Sequence, residues 1–427
     1  MADARTLPAE AGLITNQGAP SRRWIMVVLL FVAVLINYVD RGNLSIVAVP
    51  LMKDFQLSPA AMGTLLSSFF WTYAFLQVPA GWLIDRFGLK WTYGGALLVW
   101  SLASAAVGIT TNFQQVLLAR LLLGVGEAAA QPASLAYIRR SFPEDQQGLP
   151  TAIYLSGMMI GPAAGAMLGA VLLDHLGWRQ LFILTGLGAL VWLAPWLLLA
   201  PNTANRSKAQ REAAPQAAPI SWNGILSRPT LWGIAIGSFF YSYYWYFCLT
   251  WLPSYLVMAR GFSFLKMGAY TALPLLVTAV VSMTCGRAAD RVIRRTGEAV
   301  RVRKWFVSVG FLLGSVIFTV PALNSSPAIL GVLTVSLFGV GVASANYWAL
   351  TQAVSPATLI GRVIGVQNTI ANAAGVCAPV LTGFVVGRTK NFDLAMIFAG
   401  AAMLVAAACF LFLVREKDAA TFRSMAA

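Results

Sequence analysis

Charge is scarce in this sequence. Only 11% of its 427 residues are Asp, Glu, Lys or Arg, whereas 58% are hydrophobic. A soluble globular chain carries about 25% charged residues, so this chain has too little polar surface to cover itself in water. The scarcity excludes an ordinary water-soluble domain and points to the interior of a membrane.

Histidine and cysteine are also few. The sequence has one histidine, His175, which we expect at the surface, and four cysteines that show neither disulfide nor metal-site spacing. A single histidine cannot build the usual catalytic or metal-binding clusters, and no phosphate-binding loop for ATP is present. These absences argue against an enzyme, a metal, a cofactor and an ATP-driven pump.

Long apolar runs fill most of the chain, and each is long enough to cross a hydrocarbon core about 30 Å thick. Helices are the expected form, because backbone polar groups must be satisfied within each span. We therefore predict an all-α membrane protein. Its twelve predicted spans, numbered 1 to 12, are 24–50, 59–83, 91–109, 113–137, 152–173, 181–199, 231–257, 268–286, 305–322, 328–351, 363–387 and 394–414.

The formal net charge is +15, yet its distribution argues against a nucleic-acid partner. With the N-terminus in the cytoplasm, only six of the thirty Lys and Arg residues fall in outer loops, and two lie inside spans. The remainder lie in the cytoplasmic loops and tails, as the positive-inside rule requires. We therefore expect both termini in the cytoplasm and a lipid bilayer as the surrounding partner.

A long polar break divides the chain into two halves. It is rich in Ala, Pro and charge, and we interpret it as a cytoplasmic linker. The predicted organisation is an N-terminal tail, a six-helix bundle, the linker, a second six-helix bundle and a C-terminal tail, at residues 1–23, 24–200, 201–229, 230–414 and 415–427.

An internal repeat supports that division. The loop after span 2 reads GWLIDRFGLK and the loop after span 8 reads GRAADRVIRR, starting 205 residues apart. Gly81, Asp85 and Arg86 resemble the loop 2–3 signature of the major facilitator superfamily, and Asp290 and Arg291 resemble its weaker copy. The resemblance implies two pseudo-symmetric six-helix bundles. It also implies that these five residues gate one face through breakable charge contacts.

Four charged residues lie well inside the predicted spans, all in the first half. Asp40 and Arg41 are adjacent on span 1, and Arg120 and Glu127 are seven apart on span 4. Seven residues make two helical turns, so Arg120 and Glu127 share one face. Charge inside a membrane costs at least about 2.5 kcal/mol per residue, so these positions indicate a function.

Protonation of either acid would leave the four-residue cluster with a net positive charge. It would release an arginine to bind a carboxylate, which is a mechanism for proton–anion symport. The alternative is purely structural: two salt bridges, Asp40–Arg120 and Arg41–Glu127, or the crossed pairs. Buried ion pairs seldom repay their desolvation through stability alone, so we favour the functional interpretation.

Several longer segments resemble the anion:cation symporter branch of that superfamily, which includes bacterial carriers of sugar acids and animal sialin. They are NYVDRGNLSIVAVP, LLSSFFWTYAFLQVPAGWLIDRFG, RLLLGVGEAAAQPA and GWRQLFILTG. The resemblance implies that Asp40 and Glu127 carry protons and that Arg120 pairs with Asp40. It also implies a substrate site formed by Arg41, Tyr38, Tyr73, Asn368 and Trp348.

The sequence departs from the galactonate carriers of that branch at two places. Met158 stands where a span 5 glutamine is expected, and Ala345, Asn346 and Tyr347 stand where small hydroxyl residues are expected on span 10. These departures weaken the case for galactonate itself and leave other carboxylates open.

We therefore expect a bacterial inner-membrane importer of a small organic anion, a sugar acid or related carboxylate, that is coupled to protons and functions as a monomer. Part of a drug-exporter motif, GMMIGPAAG on span 5, keeps a proton-coupled drug or metabolite exporter as one alternative. An organic-anion antiporter, which relies on arginines without needing the acid pair, is the other.

Overall fold

A computed structural model of the chain describes residues 20–143, 146–201, 229–355 and 360–415, and these residues are almost entirely helical. The helices, numbered here in chain order, are α1 Pro20–Ile46, α2 Ala48–Asp54, α3 Pro59–Phe87, α4 Leu89–Val107, α5 Phe113–Glu127, α6 Ala130–Ser141, α7 Gly148–Ala189, α8 Leu193–Leu199, α9 Pro229–Thr250, α10 Leu252–Met258, α11 Phe264–Thr296, α12 Ala299–Gly314, α13 Ser326–Val354, α14 Ile360–Thr389 and α15 Asp393–Ala408. Short 3₁₀ segments follow α7 and α12, and a π-helical turn follows α15.

Each predicted span coincides with helical residues. Within the described ranges, eight helical stretches are long and apolar enough by themselves to cross a membrane, and one of these, Gly148–Leu199, contains two predicted spans. Inside α7, Gly177 has a φ of +82° that only glycine adopts easily, and it separates spans 5 and 6. Large apolar side chains remain exposed on many of the helices, as expected for surfaces that face lipid.

The ends of the helices define two faces of the molecule. We call the face where the first helix begins and the last one ends the terminal face, and the other the opposite face. On the terminal face, Arg22 donates to the carbonyl of Leu199, and Lys304 donates at 2.9 Å to the carbonyl of Val414. On the opposite face, the Trp178 indole donates at 2.7 Å to Asp54. The first helix begins, and the last one ends, at the terminal face. The predicted tails beyond residues 20 and 415, and nearly all of the predicted linker, lie outside the described residues.

The repeat seen in the sequence is also a repeat of local structure. Spans 2 and 8 each start after a serine whose hydroxyl caps the helix, Ser58 accepting from the Ala61 amide and Ser263 from the Lys266 amide. A serine in this position satisfies a backbone N–H that would otherwise lack a partner. The two serines are 205 residues apart, the same offset as the two Gly-x-x-x-Asp-Arg loops.

Contacts between the halves surround the middle of the molecule. Helix α3 packs against α14, and α7 against α11. Toward the opposite face, the Ser45 hydroxyl donates to the Leu249 carbonyl at 2.8 Å. Nearer the terminal face, Asn368 donates to the Gln77 side chain at 3.3 Å. These two contacts bridge the bundles on either side of the middle of the molecule, and a space remains between the bundles there.

Close packing of α4 against span 6 gives the first testable prediction. A Cβ at Gly186 would lie 2.4 Å from the Ala105 backbone nitrogen, whereas a Cβ at Gly188 would meet nothing within 4 Å. Overpacking of this kind costs about 1–3 kcal/mol. We expect Gly186→Ala to unfold several degrees below the wild type in a detergent thermal melt, with Gly188→Ala close to wild type. Equal melting temperatures for the two variants would contradict the packing described here.

Candidate functional site

A cavity lies between the two halves, and it encloses about 780 Å³ of space, part of it open to solvent. Spans 1, 2, 4 and 5 form one wall, and spans 7 and 8 form the other. The wall from the first half includes Tyr38, Arg41, Ser45, Phe69, Phe70, Arg120 and Pro162. The wall from the second half carries no charged residue and consists of Trp245, Tyr246, Leu249, Thr250, Pro253, Thr271 and Leu275.

Arg41 is held at this cavity by an ion pair and three aromatic rings. Its Nε lies 2.5 Å from Glu127 Oε2. Its guanidinium carbon lies 5.0, 4.7 and 4.4 Å from the ring centroids of Tyr38, Phe69 and Tyr73. Aromatic faces attract a cation at such distances. Within the described part of the chain, no hydrogen bond engages its Nη1 or Nη2, so these donors remain for a ligand.

Glu127 lies behind Arg41 and is fully buried. It is the last residue of α5, just before α6, and its second oxygen, Oε1, has no hydrogen-bond partner. The amide nitrogen of Asn37 on span 1 is a second buried atom without a partner. A buried carboxyl with one engaged oxygen and one bare oxygen can take up a proton without losing its contact to Arg41.

Asp40 points away from the cavity toward span 3. Ser104 on α4 donates to its Oδ1 at 2.8 Å, and its Oδ2 has no partner. The predicted ion pair between Asp40 and Arg120 is not formed in this structure. The reason is geometric, because the contact with Ser104 draws the carboxylate to span 3 while Arg120 lies against the cavity.

Arg120 is therefore a buried guanidinium without an acid partner among the described residues. It is only 3% exposed, its Nε and Nη1 have no hydrogen-bond partner, and it lines the cavity. Its guanidinium carbon lies 5.5 Å from the centroid of Phe69, the same ring that lies beside Arg41. The two arginines are thus close neighbours on the cavity wall.

The four buried charges are divided by position. Both arginines line the cavity, whereas Asp40 and Glu127 lie behind its wall. An anion entering the cavity would meet guanidinium groups and would not meet a carboxylate. The arrangement suits binding of an anion by the arginines inside the cavity and uptake of protons by the carboxyl groups behind the cavity wall.

The remaining predicted substrate residues are spread over a larger region. Tyr38 lines the cavity, and Tyr73 stacks on Phe69 with centroids 4.9 Å apart. Asn368 lies nearer the terminal face, where it contacts Gln77. Trp348 is 39% exposed and packs edge-on against Tyr347. The structure thus groups Tyr38 and Tyr73 with Arg41 and leaves Asn368 and Trp348 outside the lining of this cavity.

The two repeated loops each form an ion pair at the terminal face. Asp85 binds Arg140 at 2.9 Å, and Asp290 binds Arg303 at 2.8 Å. Both pairs join helices of the same half, so they do not tie the halves together here. Arg86 rests on the rings of Trp82 and Phe87.

The other two members of the predicted gating set, Arg291 and Gly81, take no part in these ion pairs. Arg291 is exposed at the terminal face. A Cβ at Gly81 would meet nothing within 4 Å.

Several residues at the site were not predicted from the sequence. They are Ser104, Phe69, Gln77, Arg140 and Arg303, together with Thr271, whose buried hydroxyl lines the cavity without a partner. A serine, threonine or phenylalanine in an apolar helix gives no sequence signal. Arg140 and Arg303 had one, since basic residues at a helix end near a repeated Asp-Arg loop are natural partners for its carboxylate.

The residues that depart from the galactonate pattern have structural roles. Met158 is partly buried against the core of the first half. Asn346 is fully buried and its side-chain oxygen accepts from Arg303 at 3.3 Å. Tyr347 packs against Tyr241 with ring centroids 5.0 Å apart. None of these three lines the cavity between the halves.

A helical membrane protein with two repeated bundles and a charged cavity between them is a transporter and not an enzyme. Within that class, the chain belongs to the Major Facilitator Superfamily, which matches residues 30–379. The family predicted from the sequence is thereby confirmed, and with it the fold.

Similar proteins from bacteria cover nearly the whole chain. The probable galactarate/D-glucarate transporter GudP of Escherichia coli (strain K12) is 30% identical over 438 residues, 96% of each chain. GarP of the same strain, described in the same words, is 29% identical over 92% of this chain and 95% of its own. The probable sulfoacetate transporter SauU of Cupriavidus necator is 30% identical over 91% and 92%.

A solved structure shares the fold. It is a bacterial homolog of the human lysosomal transporter Spinster, in an inward-facing and occupied conformation. It superposes with a TM-score of 0.73 at 19% identity and covers 95% of this chain and 97% of its own.

The buried ion pair gives the second prediction. Arg41→Gln leaves Glu127 buried without its partner, and breaking such a pair costs about 3–5 kcal/mol. We expect this variant to melt well below the wild type, and the double variant Arg41→Gln with Glu127→Gln to recover much of the loss. A double-mutant cycle of thermal melts measures the coupling. Additive losses would show that the two side chains do not stabilise each other.

Proposed function

We propose that this protein imports a small organic anion, a sugar acid or a related carboxylate, together with protons. The similar proteins named above are described as carriers of galactarate, D-glucarate or sulfoacetate, and others as D-galactonate or hexuronate transporters. These compounds are all small and acidic. They support the substrate class and leave its particular member open.

The observation that carries the proposal is the division of charge across the cavity wall. Arg41 lines the cavity with two guanidinium nitrogens that have no partner, and a planar guanidinium binds a carboxylate through two parallel hydrogen bonds. Glu127 contacts Arg41 from behind the cavity wall, and Asp40 directly precedes Arg41 on span 1. Proton uptake by Glu127 weakens its hold on Arg41 and strengthens the pull of Arg41 on the anion.

Alternating access follows from the two-bundle architecture. A site between two repeats is exposed to one side and then to the other as the bundles rock. Contacts such as Ser45–Leu249 and Asn368–Gln77 must break in turn for the cavity to open. The ion pairs at Asp85 and Asp290 stabilise each bundle at the terminal face. We propose that they act as the gating elements by exchanging partners during rocking.

The excess of Lys and Arg in the loops of the terminal face supports a cytoplasmic location for that face. We therefore place both termini in the cytoplasm, with the chain in the bacterial inner membrane and functioning as a monomer. The predicted domain limits at 24, 200, 230 and 414 belong to the same proposal.

Export of lipophilic cations and anion exchange without protons are the competing functions. Two arginines on the cavity wall disfavour a cation, because like charges at short range repel. Exchange without protons gives no reason to bury two carboxyl groups behind the cavity. Both observations favour symport.

Neutral substitutions test the coupling. We expect Asp40→Asn and Glu127→Gln each to abolish uphill, pH-driven uptake in proteoliposomes while sparing substrate exchange, because exchange needs no net proton movement. The control is Asp174→Asn, the same change at an exposed site on the opposite face, which should leave uptake at the wild-type rate. Uphill uptake that survives in both buried variants would refute the proton role.

Ligand binding tests the substrate class. We expect a carboxylate from a panel of sugar acids, uronates and aromatic acids to raise the melting temperature, and to do so more at pH 5.5 than at pH 7.5. Bound ligand stabilises the folded state by mass action, and protonation of Asp40 or Glu127 makes the cavity more positive. Neutral sugars are the negative control. Stabilisation by lipophilic cations alone would favour the exporter.

A further inference from the structure

We propose that Arg120 is a second anion-binding residue, so that the protein selects substrates carrying two acidic groups over those carrying one. This inference rests on the proposed function, because it assigns a second half-site to the same cavity. It differs from the structural role expected for Arg120 as the partner of Asp40.

The first observation is the unmet hydrogen-bonding capacity of Arg120. Its Nε and Nη1 have no partner, although the residue is 97% buried. A buried charged donor without a partner is costly, and the carboxylate expected to pair with it is engaged by Ser104. Both nitrogens are shielded from the cavity as the side chain lies here, so an anion at the lining surface of Arg120 reaches them only if the guanidinium turns toward it.

The second observation is that Arg41 has a carboxylate in direct contact, whereas Arg120 does not. Glu127 compensates Arg41 directly through the Nε contact. No carboxylate lies within 4 Å of the Arg120 guanidinium among the described residues, and the wall from the second half is uncharged. One acidic group bound at Arg41 would leave the charge of Arg120 without a direct partner, and a second acidic group supplies it.

The third observation is distance. The guanidinium carbons of Arg41 and Arg120 lie 4.7 and 5.5 Å from the centroid of the same ring, Phe69. They are therefore within about 10 Å of each other. A short carbon chain with an acidic group at each end can reach both, whereas a compound with one acidic group reaches one.

The wall from the second half offers neutral groups for the middle of such a ligand. Thr271 and Tyr246 both line the cavity; the buried Thr271 hydroxyl has no partner, and the Tyr246 ring packs on Phe70 with centroids 4.6 Å apart. A hydroxyl can bond a hydroxylated chain, and an aromatic ring packs against its carbon atoms. The resulting site has two cationic ends and a neutral centre.

A site built to pair a polar group strongly rejects the analogue that lacks it, because its own buried group is then left unpaired. Matched compounds test this. Galactarate and galactonate share a carbon skeleton, and galactonate has a hydroxymethyl group in place of one carboxylate. Sulfoacetate and isethionate form a pair of the same kind. Dissociation constants are measured by calorimetry on the purified full chain, at a single pH near 6.

We expect the wild type to bind the diacid of at least one pair roughly tenfold or more tightly than its mono-acid. Arg120→Gln should bring that ratio close to one, and Arg120→Lys should retain part of it because the charge remains. The control is Arg388→Gln, which removes one positive charge at an exposed site on the opposite face and should keep the wild-type ratio.

The outcomes separate the two proposals. Equal affinity for both members of each pair in the wild type overturns the role of Arg120 and leaves the anion carrier standing. An unchanged ratio in Arg120→Gln overturns it as well. If the wild type binds none of the four anions but is stabilised by lipophilic cations, the proposed function fails together with the inference.

Discussion

The contact between Arg41 and Glu127 is the interaction on which the rest of the site depends. The Glu127 carboxylate is fully buried with the Arg41 guanidinium beside it, and the same contact holds Arg41 at the cavity wall. The aromatic rings of Tyr38, Phe69 and Tyr73 complete the support for the guanidinium. These contacts hold spans 1, 2 and 4 together on one side of the cavity.

Two adjacent residues of span 1 have different surroundings. Span 1 presents Arg41 to the cavity and Asp40 to span 3, since successive helical residues differ in direction by about 100°. One short segment thus reaches the cavity on one side and the Ser104 hydroxyl on the other. A small rotation of span 1 would change both environments at once.

The fold was predictable because hydrophobic length and loop charge are strong signals in membrane proteins. Each predicted span coincides with helical residues, and the repeated Asp-Arg loops mark corresponding points in the two predicted bundles. The buried charges Asp40, Arg41, Arg120 and Glu127 were also evident, because charge is rare inside a span. Their pairing is only partly predictable. Arg41 pairs with Glu127, which is one of the predicted alternatives, whereas Asp40 accepts a hydrogen bond from Ser104 and forms no salt bridge with Arg120. A serine on a neighbouring helix decides that outcome, and spacing along one helix carries no information about it.

The two halves share an architecture but differ in the charge that they contribute to the cavity wall. Every charged residue on the cavity wall belongs to the first half, while the second half contributes aromatic, aliphatic and hydroxyl side chains. Substitutions in spans 7 and 8 can therefore reshape the cavity without altering its charged residues. A lineage with this division could change the size and shape of the compound it accepts through the second half alone, while the charge of the cavity stayed the same.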